Sequence, residues 1–253
     1  MLSLSLYDFG DFVTELLFPK KSLLISFGSS SLLARAVLPK LKPFDINLFL
    51  SSKNGLIEMD HGSQNTVKIN TNSIDDITSE FEGLLDVKRS ELSEIVVVSF
   101  VGISDDQIFK NLTVDEINRI IDVNFRSNTY LASAVLKYFG VGSTSLTFIS
   151  STRALLGDRG LTMYSATKHA LNGLVKGIAL EYGRFGVRAN VLSLGVAPVG
   201  LVDKVPAKRM VDIIKRSASG TMIDINSVVQ SLEFLRVNKD VNGSVLHCDG
   251  GYF

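Results

Sequence analysis

A single α/β domain, built on a parallel sheet of about seven strands with helices on both faces, is the fold this sequence predicts. Three observations carry that prediction. Short runs of aliphatic and β-branched residues alternate with longer stretches of helical period along the 253 residues. Those runs are continuously apolar rather than alternating, as strands buried on both faces must be. No linker, repeat or low-complexity segment divides the chain, and a 45% hydrophobic composition suffices for one sizeable core.

The elements follow in order. Over residues 1–21, Phe9, Phe12, Val13, Leu16 and Leu17 recur at helical spacing, which predicts an added amphipathic helix packed on the domain or on a neighbouring subunit. Asp8, Asp11 and Glu15 interrupt that segment and no early positive charge precedes it, so a signal peptide is not expected. Residues 22–27 read as a buried strand, followed by Gly28, a serine run and a helical segment over 32–41. A second strand covers 46–50, a short third 67–69, and a helix lies around 74–85. The fourth strand, 94–99, is nearly all β-branched. Thr113 opens a helix with Asp115 and Glu116 in its first turn, where the macrodipole favours carboxylates. Its apolar stripe of Ile117, Ile120, Ile121, Phe125 and Leu131 runs past Asn124. Strands at 146–150, 187–192 and 244–247 complete the set, with helices around 163–171 and 206–216.

Lys plus Arg equals Asp plus Glu at 26 each, so no net field favours a nucleic-acid or membrane surface. No apolar run approaches the length of a membrane span. Cys248 is the only cysteine and His61, His169 and His247 are scattered, so neither an internal disulfide nor a metal site is expected. A cytoplasmic protein is the simple reading.

Four polar residues in the middle of the chain fit one chemical task. Tyr164 and Lys168, four apart in a helical stretch, project from the same face one turn apart. Ser151 closes an apolar strand thirteen residues before the tyrosine, and Asn124 lies on the preceding helix. A phenol beside an ammonium should have its pKa lowered toward neutrality, which suits it to pass a proton to or from a substrate oxygen. The serine hydroxyl can hold that same oxygen. These groups can move a proton while a hydride moves elsewhere.

With Phe27-Gly-Ser-Ser-Ser-Leu-Leu-Ala34, Val123-Asn124, Ile149-Ser-Ser151, Tyr164-Ser-Ala-Thr-Lys168, Gly186-Val-Arg-Ala-Asn190 and Val245-Leu-His-Cys-Asp-Gly-Gly251, the chain resembles the short-chain dehydrogenase/reductase family. The likeness covers residues 22–253 and is nearest in character to β-ketoacyl-carrier-protein reductases. The Tyr-x-x-x-Lys pair alone is weak; with the serine, the asparagine and the Asp-Gly-Gly ending it is specific. The resemblance implies a single Rossmann-like domain, a nicotinamide cofactor and a small-molecule carbonyl or alcohol substrate. It implies Tyr164 as acid/base, Lys168 as its activator and ribose ligand, Ser151 orienting the carbonyl, and Asn124 holding a relay water. Asn190 is expected to be structural. The family likeness further implies a homo-tetramer or homo-dimer built through the helices bearing Asn124 and Tyr164 and through the last strand.

The cofactor half departs from the family pattern. The first loop keeps Gly28, but Leu32 and Ala34 replace its second and third glycines. Leu32 adds bulk where a pyrophosphate should approach, and a branched side chain tolerates positive φ poorly. Ser29, Ser30 and Ser31 either offer hydroxyls to phosphate or simply cap the helix. Ser99-Phe-Val-Gly102 stands for the family's Asn-Asn-Ala-Gly, keeping Gly102, which is expected to let backbone pass close to the adenosine ribose. Leu194-Gly195 stands for Pro-Gly, and Val199 occupies the place of a nicotinamide-contacting threonine. At the end of the second strand Ser51, Ser52 and Lys53 carry no carboxylate, which favours NADP(H) over NAD(H) as cofactor, with an ordinary polar loop as the other reading. Asn70 matches the adenine-contacting position. Arg153, with Arg159 in the same loop, either binds an anionic group of the substrate or pairs with Asp158.

An NADP(H)-dependent ketoreductase with Tyr164 as acid/base is the reading these features support. A non-catalytic binding protein of the same fold, its dinucleotide loop impaired, is the rival. Epimerisation or dehydration through a transient ketone ranks last, because little chain remains for a larger substrate domain.

Overall fold

The computed structural model describes residues 20–29, 31–51, 55–59, 62–69, 73–85, 87–104, 106–201, 205 and 207–252. In chain order the first half contains β1 (Lys21–Phe27), α1 (Leu32–Val37), β2 (Ile46–Ser51), β3 (Gly55–Met59), β4 (Gly62–Lys68), α2 (Ile74–Leu84), β5 (Leu92–Ser99) and α3 (Val114–Ile121). There follow α4 (Ser127–Phe139), β6 (Thr144–Ser151), α5 (Arg153–Leu156), α6 (Thr162–Tyr182), β7 (Val187–Leu194), α7 (Ala207–Ile214), α8 (Ile225–Val237) and β8 (Val245–Cys248). A π-helical turn, Asp122–Arg126, joins α3 to α4. The amphipathic helix expected over residues 1–21 lies outside the described residues, except that Lys21 already begins β1.

One sheet holds the strands in the order β3-β4-β2-β1-β5-β6-β7-β8. Seven of them, from β4 to β8, are parallel, as the continuous apolar runs require. The eighth, β3, is an antiparallel addition that pairs with β4 from Gly55↔Thr66 to Met59↔Gly62, a hairpin the sequence pattern did not predict. α2, α4 and α6 cover one face, where Phe81, Leu131, Phe139, Leu171 and Val175 pack on β1, β5 and β6. α1 and α8 cover the other, with Val37, Val228, Leu232 and Leu235.

Local chemistry sets the helix ends. Ser31 Oγ accepts from the Ala34 amide and Ser73 Oγ from Asp76, while Thr113 and Glu116 form a reciprocal capping box. Pro39 follows α1 closely, so the helix ends at Val37 and tightens into a 3₁₀ turn rather than reaching residue 41. At the far edge, the Arg188 guanidinium donates to the carbonyls of Leu235, Arg236 and Asn238, closing the C-terminal end of α8. Asn190 is fully buried between the Val241 carbonyl and the Ser244 amide, so it stitches β7 to the loop before β8.

The connections reverse direction at the β1/β5 boundary: β2 and β4 lie to one side, β6, β7 and β8 to the other. In open sheets of this kind a crevice opens outside the strands' carboxyl ends at such a reversal. Gly28, Val101, Gly102 and Ser151 all lie there. No helix among the described residues is long and apolar enough to cross a membrane.

Candidate active site

An open cleft of about 1110 Å³ occupies that crevice. It exceeds the volume of an ordinary small-ligand pocket, which suits a dinucleotide plus a substrate. Ser151, Tyr164 and Lys168 line it together with Gly28, Ser31, Leu32, Ser51, Gly102, Arg153, Gly195 and Val199, so most of the sequence-predicted residues converge on one place. Ser30, Ser52, Lys53 and Asn70 lie outside the described residues. Arg159 is not among the lining residues; its amide donates to Asp158 Oδ1.

Tyr164 and Lys168 emerge one turn apart from α6 into the floor of the cleft, 8% and 3% exposed. Ser151 ends β6 and its hydroxyl lies beside the phenol, while accepting weakly from the Arg153 amide at 3.3 Å. Lys168 Nζ donates to the carbonyls of Val101 and Ile149, each at 2.8 Å. Burial alone depresses its pKa from 10.5 to about 7.

The phenol departs from the sequence expectation. Burial raises the Tyr164 pKa above its ordinary value, opposed by the Ser151 hydrogen bond and the nearby Arg153 charge. Lys168 makes no contribution to that shift, because its head turns to main-chain carbonyls. Desolvation outweighs adjacency in the ligand-free site.

Asn124 is fully buried in the π turn and does not face the cleft as a free carboxamide. Its Oδ1 accepts from the Ile103 amide at 2.8 Å, and its Nδ2 donates to the Ile103 carbonyl at 2.9 Å and to Thr167 Oγ1 at 3.1 Å. Both amide protons are thus committed, one to the loop after β5 and one to α6, a task other than the relay-water contact expected for this side chain.

The glycine loop is a partial fit to a dinucleotide. Gly28 turns at φ +75, where a Cβ would meet the Val101 backbone at 3.0 Å. Leu32 is not strained: it begins α1 in helical conformation, and no non-glycine residue among those described has positive φ. Its bulk remains, 52% exposed at the cleft. Ser29 faces inward, donating to the Ser26 carbonyl, and Ser31 caps α1, so these two hydroxyls serve the loop itself. Gly102 is needed for a reason the sequence did not indicate, since a Cβ there would sit 2.8 Å from Lys168 Nζ. Gly195 abuts backbone instead, with Asp249 Cα 2.8 Å from its missing Cβ. Cleft volume, the close turn at Gly28 and a buried cation at the floor together match a nicotinamide dinucleotide.

Arg153 reaches the cleft wall but is paired, its Nη1 2.6 Å from Asp158 Oδ2 with both side chains largely buried. Arg216, just past α7, lies 4.0 Å from the same carboxylate and stacks on the Tyr252 ring. Ser217 and Ser219 lace this segment to the Gly250 backbone, so the residues after α7 are anchored while Met210 and Ile213 of α7 line the cleft. Val196 and Leu201 add apolar lining before α7.

Known proteins agree with this geometry. A family model described as "Enoyl-(Acyl carrier protein) reductase" matches residues 62–253. A 3-oxoacyl-[acyl-carrier-protein] reductase of Buchnera aphidicola is 24% identical over 212 residues, 82% of this chain and 81% of that protein. A human (3R)-3-hydroxyacyl-CoA dehydrogenase is 30% identical over 163 residues, 62% of each chain. Among solved structures, an aldohexose dehydrogenase of Thermoplasma acidophilum superposes with a TM-score of 0.75 at 22% identity, covering 92% of this chain and 94% of that one. A 4-hydroxyisoleucine dehydrogenase complexed with NADH gives 0.71 at 24% identity, covering 91% and 97%. These likenesses carry the fold. Taken with the family match over most of the chain, they place it: the chain belongs to the short-chain dehydrogenase/reductase family of NAD(P)-dependent oxidoreductases acting on CH–OH/C=O groups.

Proposed function

We propose that this protein is an NADP(H)-dependent ketoreductase in which Tyr164 is the acid/base. The observation that carries the reading is the Ser151–Tyr164 hydroxyl pair at the floor of the cleft, one helical turn from a buried, titratable Lys168. NADPH would supply the hydride to the carbonyl carbon. Tyr164 donates its phenolic proton to the carbonyl oxygen, and the raised pKa keeps that proton in place at neutral pH. Ser151 donates a hydrogen bond to the same oxygen and fixes its direction. The Lys168 ammonium, held between two carbonyls, offers its remaining proton to the ribose, while the Ser151 hydrogen bond and the Arg153 charge ease the phenolate left after transfer. Solvent returns one proton to complete the reduction.

Ser51 at the end of β2, with Ser52 and Lys53 beyond it, supports NADP(H) over NAD(H). On the substrate side, the Arg153–Asp158 pair weighs toward a neutral group at that wall, because an anion would have to displace Asp158. A second copy along α4 and α6 belongs to the same proposal, and Leu180 on α6, 87% exposed, suits it.

Turnover of NADPH with a panel of ketones tests the reading. Tyr164→Phe should lower kcat roughly 100- to 10,000-fold while NADPH still binds. One observation favours the rival, a binding protein of this fold: the Gly28 and Ser29 amides both donate to the Leu50 carbonyl, leaving them unavailable to phosphate. Absence of NADPH fluorescence enhancement on titration into the protein would decide for that rival. A lower KM for NADH than for NADPH would remove the cofactor preference alone.

A further inference from the structure

The π turn is held by side chains as well as by backbone. Such a turn inserts one residue into the helical ladder, so main-chain donors fall out of step with carbonyls. Three consecutive residues answer that mismatch. Ser127 Oγ donates to the Val123 carbonyl, Asn128 Nδ2 to the Asn124 carbonyl at 2.8 Å, and Thr129 Oγ1 to the Phe125 carbonyl.

Asn128 differs from its two neighbours because its other end is also fixed. Its Oδ1 accepts from Ser99 Oγ at 2.5 Å, and both residues are 1% exposed. The carboxamide therefore bridges the last residue of β5 to the main chain of Asn124. From Asn124 the connection continues through the clamp on Ile103 to the loop that presents the Val101 carbonyl to Lys168. Ser99 begins that loop from the other side. The loop is thus pinned at one end by the Asn128 carboxamide and at the other by that of Asn124, the two joined by a hydrogen bond, and Gly102 lies against the ammonium between the pins.

We propose that Asn128, backed by Ser99, is a positioning residue that holds the loop 100–103 against Lys168, acting through Asn124 and touching neither cofactor nor substrate. The role in turnover rests on the reading of Lys168 given above; the positioning itself does not. With Asn128 removed, the π turn loses its tie to β5, the Ile103 clamp loosens and water reaches the ammonium. The titratable and charged groups sharing the cleft with Lys168 are Tyr164 on its own helix, Arg153, Asp106, Arg35, Arg119, and the Asp122–Arg126 pair of the π turn. None of them contributes to the depression of the Lys168 pKa, so a change in water access is the effect to be read.

The test uses the full chain without cofactor and reads the Lys168 pKa from the pH dependence of urea stability between pH 6 and 10, with Lys168→Met as baseline. Asn128→Ala should raise that pKa by about one unit or more toward the ordinary lysine value. Thr129→Val, which removes the neighbouring back-bond, should leave it unchanged. Should Asn128→Ala fail to fold, Ser99→Ala frees the carboxamide from β5 and is expected to shift the pKa in the same direction. An unshifted pKa in the folded variants, or equal shifts in Asn128→Ala and Thr129→Val, overturns the proposal. Turnover separates the two readings: wild-type activity on NADPH with a ketone, and a kcat loss of about tenfold in Asn128→Ala at an NADPH KM within threefold, supports both. A pKa shift in a protein inactive with NADPH upholds the positioning and overturns the ketoreductase reading instead.

Discussion

Replacing Lys168 by methionine removes a titrating charge while keeping most of the side chain's length. Burial depresses the ammonium from 10.5 to about 7. A folded value below the unfolded one means that the unfolded chain holds the proton more tightly, so native stability rises with pH across the window from about 7 to 10.5. Below that window the full cost of the buried ammonium is felt. The gap corresponds to about 5 kcal/mol in full, of which roughly 2 kcal/mol falls between pH 7 and pH 9. Methionine has no such dependence. Its loss of the Val101 and Ile149 contacts shifts stability about equally at every pH, so the difference in slope isolates the titration. Urea unfolding of both proteins at pH 7, 8 and 9, without cofactor, provides the assay. The wild type should gain about 2 kcal/mol on the variant over those two units. Parallel pH dependences would show that Lys168 is solvated or neutralised in some other way, and the picture of a buried ammonium held by carbonyls would fall.

Four further outcomes are expected. Gly102→Ala puts a methyl 2.8 Å from Lys168 Nζ, so it should displace the ammonium from the Val101 carbonyl and lower kcat at least tenfold; with a stability loss of only about 1 kcal/mol, steady-state kinetics beside a melting curve would distinguish the two effects. Gly195→Ala meets immovable backbone at Asp249 and should cost about 1–3 kcal/mol in urea unfolding. Arg153→Ala removes a charge that lowers the phenol pKa, so the rise of alcohol oxidation with pH should move to higher pH. Asp158→Asn releases Arg153 and should lower KM for carboxylate-bearing ketones while leaving neutral ones unchanged, measured in parallel with matched substrates.

Much of this architecture was legible because its strands are buried on both faces. Leu23 to Ile25 and Ile95 to Val98 form unbroken apolar runs, and a run of that kind has one stable place in a doubly covered sheet. The β3–β4 hairpin was not legible, since Ser63-Gln-Asn-Thr66 lacks apolar alternation and takes its strand form from pairing with neighbours. α8 has its own signals in the Asp224 cap and the Val228, Leu232, Leu235 stripe at helical spacing. The π turn left a trace in the gap from Phe125 to Leu131, six residues where the earlier stripe steps by three or four. Convergence of Ser151, Tyr164 and Lys168 followed from spacing on one strand and one helix. The sign of the tyrosine shift did not, because it depends on how far water is excluded and on where the lysine head turns. Neither quantity is local in sequence.

The anchoring of the segment after α7 has a consequence for how this scaffold can be altered. Gly250, at φ +67, has room for no Cβ between Ser217 Oγ and Ser219 Oγ, 2.7 and 2.5 Å from where it would stand. A side chain at Gly250 would press on these two hydroxyls, which follow directly on the helix whose Met210 and Ile213 line the cleft. Libraries built at Ser217, Ser219 and Gly250 could therefore retune which molecules are admitted, leaving the proton-handling groups as they are.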